Sequence, residues 1–237
     1  MKTIIYFISS IFLMYLLTSC GKDDDGLTQA SGSILPKKIV FQYGDVLIYN
    51  YDGNKIKNVS TEDGEIFISF TYIGNNITKL EWVMDDVWEG YSYSNNKLTQ
   101  SKVYSDHGLE AIYDYTYNSD GTVDVKQSNG NGQTVDWKRK YYDSKGNMIK
   151  EEDFRYTPHP YTSFVYDTKN SPYKNVTGYN IILGDGPNNL ISSTHHDVNS
   201  GTTHTQETNT YEYNDKGYPT KCTSIIYGDS ETIYFHY

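Results

Sequence analysis

Tyr211-Glu212-Tyr213-Asn214-Asp215-Lys216-Gly217-Tyr218-Pro219-Thr220-Lys221 is the stretch that decides the fold. Two tyrosines on alternate positions run into a polar turn containing Gly, and a short run ending in Lys leaves it. Alternation at a spacing of two marks a strand with one buried face, and a Gly-bearing break between two such runs marks a hairpin. The phrase returns at Tyr49-Asn50-Tyr51-Asp52-Gly53-Asn54-Lys55-Ile56, Phe70-Thr71-Tyr72-Ile73-Gly74-Asn75-Asn76-Ile77 and Tyr91-Ser92-Tyr93-Ser94-Asn95-Asn96-Lys97-Leu98. Further copies begin at Tyr115, Tyr141 and Phe164.

The second aromatic of each copy falls at Tyr51, Tyr72, Tyr93, Tyr117, Tyr142, Tyr166 and Tyr213, in steps of 21, 21, 24, 25, 24 and 47 residues. A period of this size is repeat architecture. The last step is about two units long, which predicts a degenerate copy near Asn188-Asn189-Leu190-Ile191. Gly53-Asn54, Gly74-Asn75 and Asn95-Asn96 suit two-residue loops, which need positive φ. Ser119-Asp120-Gly121, Ser144-Lys145-Gly146 and Asp215-Lys216-Gly217 suit three-residue loops with Gly in the left-handed position. Both lengths predict the same facing pairs: Tyr51 with Ile56, Tyr72 with Ile77, Tyr93 with Leu98, Tyr117 with Val123 and Tyr142 with Met148. On that reading the repeat tyrosines are core, and Tyr117→Ala costs ~3–5 kcal/mol. Pro172 cannot join a ladder, so Asn170–Asn175 is read as a loop or one helical turn.

Consecutive hairpins predict an all-β domain, an antiparallel up-and-down meander of roughly 14–16 strands. A long sheet with one aromatic face must curl to bury it, so the expectation is a wide or flattened barrel, curved or closed, with a β-sandwich as the alternative. Tyr occurs 25 times in 237 residues, and Ala is nearly absent after residue 30, which favours strand over helix. The formal net charge of −10 argues against nucleic acid as a partner, since that needs a basic patch.

The N-terminus carries an address. Met1-Lys2 opens a basic start, and Ile4–Leu17 is an apolar run suited to a signal peptide and short for a membrane span of ~20 residues. Leu17-Thr18-Ser19-Cys20 resembles the lipobox of bacterial lipoproteins. The resemblance implies a signal peptide over 1–19, lipidation at Cys20, a tether over 20–35 and a β domain over 36–237. It leaves Cys222 without an intrachain partner. Lys22-Asp23-Asp24-Asp25 resembles the export signal that sends some Gram-negative lipoproteins to the outer face of the outer membrane. The expected placement is therefore a lipid anchor in the outer membrane, facing the exterior. The lipobox and the Tyr-x-Tyr hairpins together resemble a Gram-negative lipoprotein family of unknown function with a porin-like β fold. The hairpin phrase is also similar to the tyrosine-aspartate repeats of Rhs-type shells.

No Gly-x-Ser-x-Gly, His-Glu-x-x-His, Walker or dinucleotide motif occurs, so neither an enzyme nor a cofactor is expected. Trp82, Asp85, Asp86, Trp88 and Glu89 combine indoles with carboxylates, the groups a glycan site uses, against an amphipathic strand end with a solvated turn at Asp85-Asp86 as the plain and favoured reading. His196, Asp197 and His204 flank a predicted hairpin. A loop of Asn199-Ser200-Gly201 sets His196 opposite His204, and a loop of Ser200-Gly201 sets Asp197 there instead. Either offers a metal two or three ligands, with His159 as a recruit, against a solvated polar hairpin as the plain reading. The expected role is a surface-anchored binding or scaffolding module for a glycan or a protein. The alternatives are a membrane-spanning barrel, suggested by the alternating end Ile233-Tyr234-Phe235-His236-Tyr237, and an unrecognised hydrolase.

Overall fold

Every copy of the repeated phrase closes a hairpin, and the hairpins close a ring. The computed structural model describes residues 33–183 and 186–237, so Cys20 and Lys22–Asp25 lie outside the described residues. The strands are β1 (Lys38–Phe41), β2 (Val46–Asp52), β3 (Lys55–Ser60), β4 (Ile66–Ile73), β5 (Asn76–Trp82), β6 (Val87–Ser94), β7 (Lys97–Ser105) and β8 (Gly108–Tyr117). They continue as β9 (Val123–Asn129), β10 (Thr134–Tyr142), β11 (Met148–Asp153), β12 (Tyr161–Tyr166), β13 (Leu190–Asp197), β14 (Thr202–Tyr213), β15 (Pro219–Ile226) and β16 (Asp229–His236). One short helix, α1 (Tyr179–Leu183), lies between β12 and β13. Each strand pairs antiparallel with its sequence neighbours, and β16 returns to β1 through Lys38↔His236 to Phe41↔Ile233. The meander is thus a closed barrel of 16 strands, which excludes the sandwich.

The predicted facing pairs are all present: Tyr51↔Ile56, Tyr72↔Ile77, Tyr93↔Leu98, Tyr117↔Val123 and Tyr142↔Met148. Gly53 and Gly121 take φ of +58° and +87°, as their turns require. The tyrosine hydroxyls tie one hairpin to the previous one. Tyr93 donates to the Ile77 carbonyl at 2.7 Å and Tyr211 to the Leu190 carbonyl at 3.0 Å. The Tyr72 and Tyr117 phenols lie against the backbone of Ile56 and Leu98. Lys55 sits 5.6 Å from the Tyr72 ring and Lys97 4.7 Å from the Tyr117 ring. This explains why the repeat uses Tyr and Lys. The ring covers an aliphatic partner, the hydroxyl bonds the neighbouring backbone, and the ammonium packs over the next ring.

The repeat tyrosines point inward but are only half-buried, because each is the last residue before a turn at the barrel mouth. Tyr117 keeps 39% of its surface exposed, so the expected core cost does not apply to it. The fully buried residues are the partners Ile56, Ile77 and Leu98, with Tyr49 and Tyr91 one step deeper.

Two halves of the interior differ. Across β1 to β7 the inward residues are Ile39, Leu47, Tyr49, Val59, Ile68, Leu80, Tyr91 and Leu98, one continuous apolar core. From β9 to β15 the register turns Lys138, Glu151, Thr162, His195, Glu207 and Asn209 to the same side, so that wall is polar. The outer face carries charged pairs. Arg139 forks onto Asp124 at 2.6 and 2.9 Å, Lys221 meets Glu212 at 2.9 Å and Lys79 meets Glu81 at 2.9 Å.

The expected extra repeat near Asn188 is absent, and the surplus length is an insertion into one turn. Tyr166 faces Leu190 as the other tyrosines face their aliphatic partners. The Asp167 amide donates to the Asn189 carbonyl and the Asn189 amide to the Asp167 carboxylate, both at 3.0 Å. Asp143 and Asn147 make the same two bonds around an ordinary three-residue loop. Between Asp167 and Asn189 the chain leaves this neck, carries α1, and folds over the mouth as a cap. The Tyr173 hydroxyl meets the Tyr49 hydroxyl at 2.8 Å, and Tyr72 donates to the Thr177 carbonyl at 3.2 Å. Thr177 N–H donates to the Asn54 carbonyl at 2.8 Å, and Asn175 donates to the Tyr218 hydroxyl at 2.7 Å. Gly178 passes so close to the β4–β5 turn that a Cβ there would lie 2.9 Å from the Asn75 carbonyl oxygen.

Candidate functional site

The cap covers the apolar half of the mouth and leaves a cleft of about 360 Å³ on the other side. Tyr115, Tyr117 and Tyr142 line its wall, Lys97 and Lys140 bring ammonium groups, and Asn180 to Ile182 of α1 form its lip. Register explains the aromatic wall: Tyr115 and Tyr117 are inward residues of β8, and Tyr142 ends β10 on the same side. Burial raises the Tyr115 phenol far above its ordinary pKa. The phenol therefore stays neutral, offering a ring face and a hydroxyl and no base.

Below the cleft, a column of alternating charge runs down the β10–β11 wall. Lys140 lies 3.8 Å from Glu151, Glu151 is 2.8 Å from Lys138, and Lys138 is 3.9 Å from Asp136. Arg155 closes the column, 3.2 Å from Asp136 and paired with Asp153. Burial works against the Lys138 charge, but the carboxylates around it, Glu151 first and then Asp136 and Asp153, together hold the ammonium pKa above the usual lysine range. On the facing wall, burial raises the Glu89 carboxyl despite the bond from Tyr91. The Tyr91 hydroxyl donates to it at 2.9 Å. Paired charges of this kind make a polar lining able to hold hydroxyl-rich or anionic ligands.

The residues that sequence singles out are dispersed. Trp82 pairs with Val87 and Leu80 with Glu89, so Trp82 and Glu89 face inward. Trp88 pairs with Glu81 on the outer face, stacked on Tyr104 with ring centroids 3.9 Å apart. Asp85 and Asp86 occupy the exposed turn at the opposite end from the cap. The five therefore form no common surface, because neighbouring strand residues point to opposite faces.

The histidine hairpin takes neither expected register. Asp197 faces Thr202 across a four-residue loop, and this pairs His195 with His204, inward, at a ring separation of 5.6 Å. His196 is outward, stacked on Tyr161 at 4.3 Å and 2.9 Å from the Ser163 hydroxyl. Asp197 is spent on the turn, where its carboxylate accepts the Asn199 amide at 2.9 Å. Bonds from Ser200 hold that carboxyl below the usual range. His159 stacks on Phe154 at 4.1 Å. Among the described residues no three His, Cys, Asp or Glu side chains stand close enough to enclose a metal ion. The cleft itself escapes a linear reading, since it exists only where the insertion stops short of the far rim.

No protein-family model matches the sequence, and no match to a curated protein reaches significance. Solved structures do match. A porin-like protein from Bacteroides vulgatus ATCC 8482 is 13% identical, with a TM-score of 0.58, covering 86% of this chain and 99% of that one. A porin-like protein from Bacteroides uniformis ATCC 8492 is 11% identical, with a TM-score of 0.57, covering 86% of this chain and 97% of that one. At these identities the likeness is one of fold, and it agrees with the porin-like β architecture that the family resemblance implies: this chain has the fold of those barrels along nearly their whole length.

Proposed function

We propose that this protein is a lipid-anchored binding module of the outer membrane, facing the exterior, that holds a glycan in the cleft beside the cap. The observation that carries the reading is the cleft itself. Three inward tyrosines offer flat apolar faces and two lysines offer donors, in a concavity of the right class for a sugar unit or two. The outer face supports a barrel bathed in water. Arg139, Lys221 and Lys79 sit on it in ion pairs, whereas a lipid-facing belt is an apolar band in which Lys or Arg costs ~2–4 kcal/mol at mid-depth. The cap also lies across part of the passage that a channel would need open.

Binding is tested by a glycan array followed by calorimetry on the best ligand. Tyr117→Ala and Lys97→Ala, both at the exposed rim, are expected to weaken binding at least tenfold while the fold is kept, with Tm lowered by no more than about 4 °C. An array without hits, or affinities equal to wild type, overturns the reading. The anchor is tested separately. Cys20→Ala is expected to release the protein from the membrane fraction. Replacing Asp23, Asp24 and Asp25 by Ala is expected to make it resistant to external protease in intact cells. Retention of the Cys20 variant in membranes would remove the lipid anchor from the proposal.

A further inference from the structure

The cleft beside the cap carries charge of one sign. Lys97 and Lys140 line it, and among the described residues no carboxylate does. The carboxylates next to it in the chain are engaged elsewhere. Asp120, beside the lining Gly121, accepts the Thr122 hydroxyl at 2.7 Å and the Thr122 amide at 3.0 Å. Asp143, beside the lining Tyr142, accepts the Lys145 and Asn147 amides at 2.8 and 2.9 Å. Glu151 stands 2.8 Å from Lys138 and 3.8 Å from Lys140, so its closer bond runs down the column and away from the cleft. Among the described residues Lys97 joins no ion pair, and its ammonium rests 4.7 Å from the centre of the Tyr117 ring. Register brings the second lysine to the other side of that ring. Val123 pairs with Tyr117 on one side and with Lys140 on the other, which sets Tyr117 and Lys140 two strand spacings apart, about 10 Å. Lys97 belongs to β7, across β8 from both. Much of the acidic charge sits at the opposite mouth, where the turns after β3, β5 and β7 hold Glu62, Asp63, Glu65, Asp85, Asp86 and Asp106.

We propose that the glycan held by this cleft is acidic, with sugars that bear carboxylates as uronic acids do. The inference rests on the glycan reading of the cleft and narrows its ligand class. Two ammonium groups in one concavity repel each other, and an anion set between them removes the repulsion and adds two attractions. At an exposed rim a ring face is a weaker partner for a cation than a carboxylate is, so Lys97 can turn to the ligand and leave the Tyr117 face to a sugar ring. A uronic acid carries its carboxylate at the edge of the pyranose ring. A sugar lying flat on Tyr117 therefore directs that charge sideways, where the flanking lysines stand. A neutral sugar in the same position leaves both ammonium groups without a counter-charge while it displaces their water. The acidic turns of the opposite mouth do not oppose this choice. At physiological ionic strength charges are screened beyond about 8 Å, and β8 alone runs ten residues between the mouths, well beyond that distance.

The test is calorimetry of the full chain with oligogalacturonate and oligoglucuronate, each compared with the same oligomer after its carboxyls are reduced to hydroxymethyl groups. The acidic form of at least one pair is expected to bind roughly tenfold or more tightly than its reduced form. Lys97→Gln and Lys140→Gln are expected to bring the acidic form down to the level of the reduced one, and Lys97→Glu to take it lower, with a cooperative melting transition kept in all three. Equal or tighter binding of the reduced oligomers overturns the acidic class, and the glycan cleft itself then stands if Tyr117→Ala still weakens that binding. A preference for the acidic form that persists in both glutamine variants also overturns it, since the charge is then read outside the cleft. No binding by either acidic oligomer overturns it as well, and a glycan array without hits takes the glycan reading with it.

Discussion

A chain ending at Tyr227 is expected to show no cooperative unfolding transition. The deletion removes β16, which pairs on both sides, six positions with β15 and four with β1. Inside the barrel it removes Ile233 and Phe235, which pack against the apolar core, and it uncovers Ile39, Phe41 and Cys222. It also converts a ring into an open sheet with two unpaired edges. An edge is a template for pairing with another chain, and closure is the only arrangement that abolishes it. The loss is one of topology as well as area, so it exceeds any single substitution. Calorimetry and size-exclusion chromatography decide the matter. The expected result is a broad thermogram and soluble aggregates, and a sharp transition within a few degrees of wild type would show that closure is dispensable.

Tyr91→Ala is expected to destabilise the barrel by about 3–5 kcal/mol, the range for large buried aromatics. Tyr91 is an inward residue of β6, buried against the apolar core and facing Ser101. Its hydroxyl holds the Glu89 carboxylate, so truncation leaves both a cavity and a buried acid short of a donor. Tyr91→Phe keeps the volume and loses only the bond, with an expected cost of about 1–3 kcal/mol. Tyr117→Ala is the control, since its half-exposed ring should cost under about 1 kcal/mol. Denaturant titrations of the three variants measure the order directly. Equal losses at Tyr91 and Tyr117 would mean that the mouth is as well packed as the interior.

Strand existence, register and turn type could be read from the chain because all three depend on neighbours in sequence. Tyr, two or three turn residues and an aliphatic partner fix each pair locally, and the observed pairs are the predicted ones. Two things could not be read in this way. One is depth: residues on one face of a strand share a side but not a burial, and Tyr117 at the rim differs from Tyr91 within by where the strand ends. The other is the insertion. Asp167 and Asn189 behave as the two ends of an ordinary turn, yet they are bonded across a stretch of chain with no period of its own. The spacing therefore looked like a worn repeat. The histidine hairpin misled for a related reason. Its loop length was open, and one residue of slip exchanges every inward side chain for an outward one. The cleft combines both difficulties, as its wall follows the period while its lip belongs to the insertion.

The neck at Asp167 and Asn189 separates two rates of change within one molecule. On one side stands a wall whose every residue is committed to neighbours through register, where a slip is punished at once. On the other is a loop whose length is nearly free, since doubling a flexible loop costs only about 0.6 kcal/mol in closure entropy. Both ends of that loop are already held 3.0 Å from each other by backbone and side-chain bonds that do not involve its contents. Residues between them that lie away from Tyr173, Val176 and Gly178, which pack on the barrel, can drift or be exchanged while the frame still closes. Such a division lets a lineage keep one frame while varying what meets the environment at its mouth. Chains built on this barrel should therefore diverge first between the two neck residues, and an engineered segment grafted there should be carried where it keeps the contacts of Tyr173, Val176 and Gly178 with the barrel.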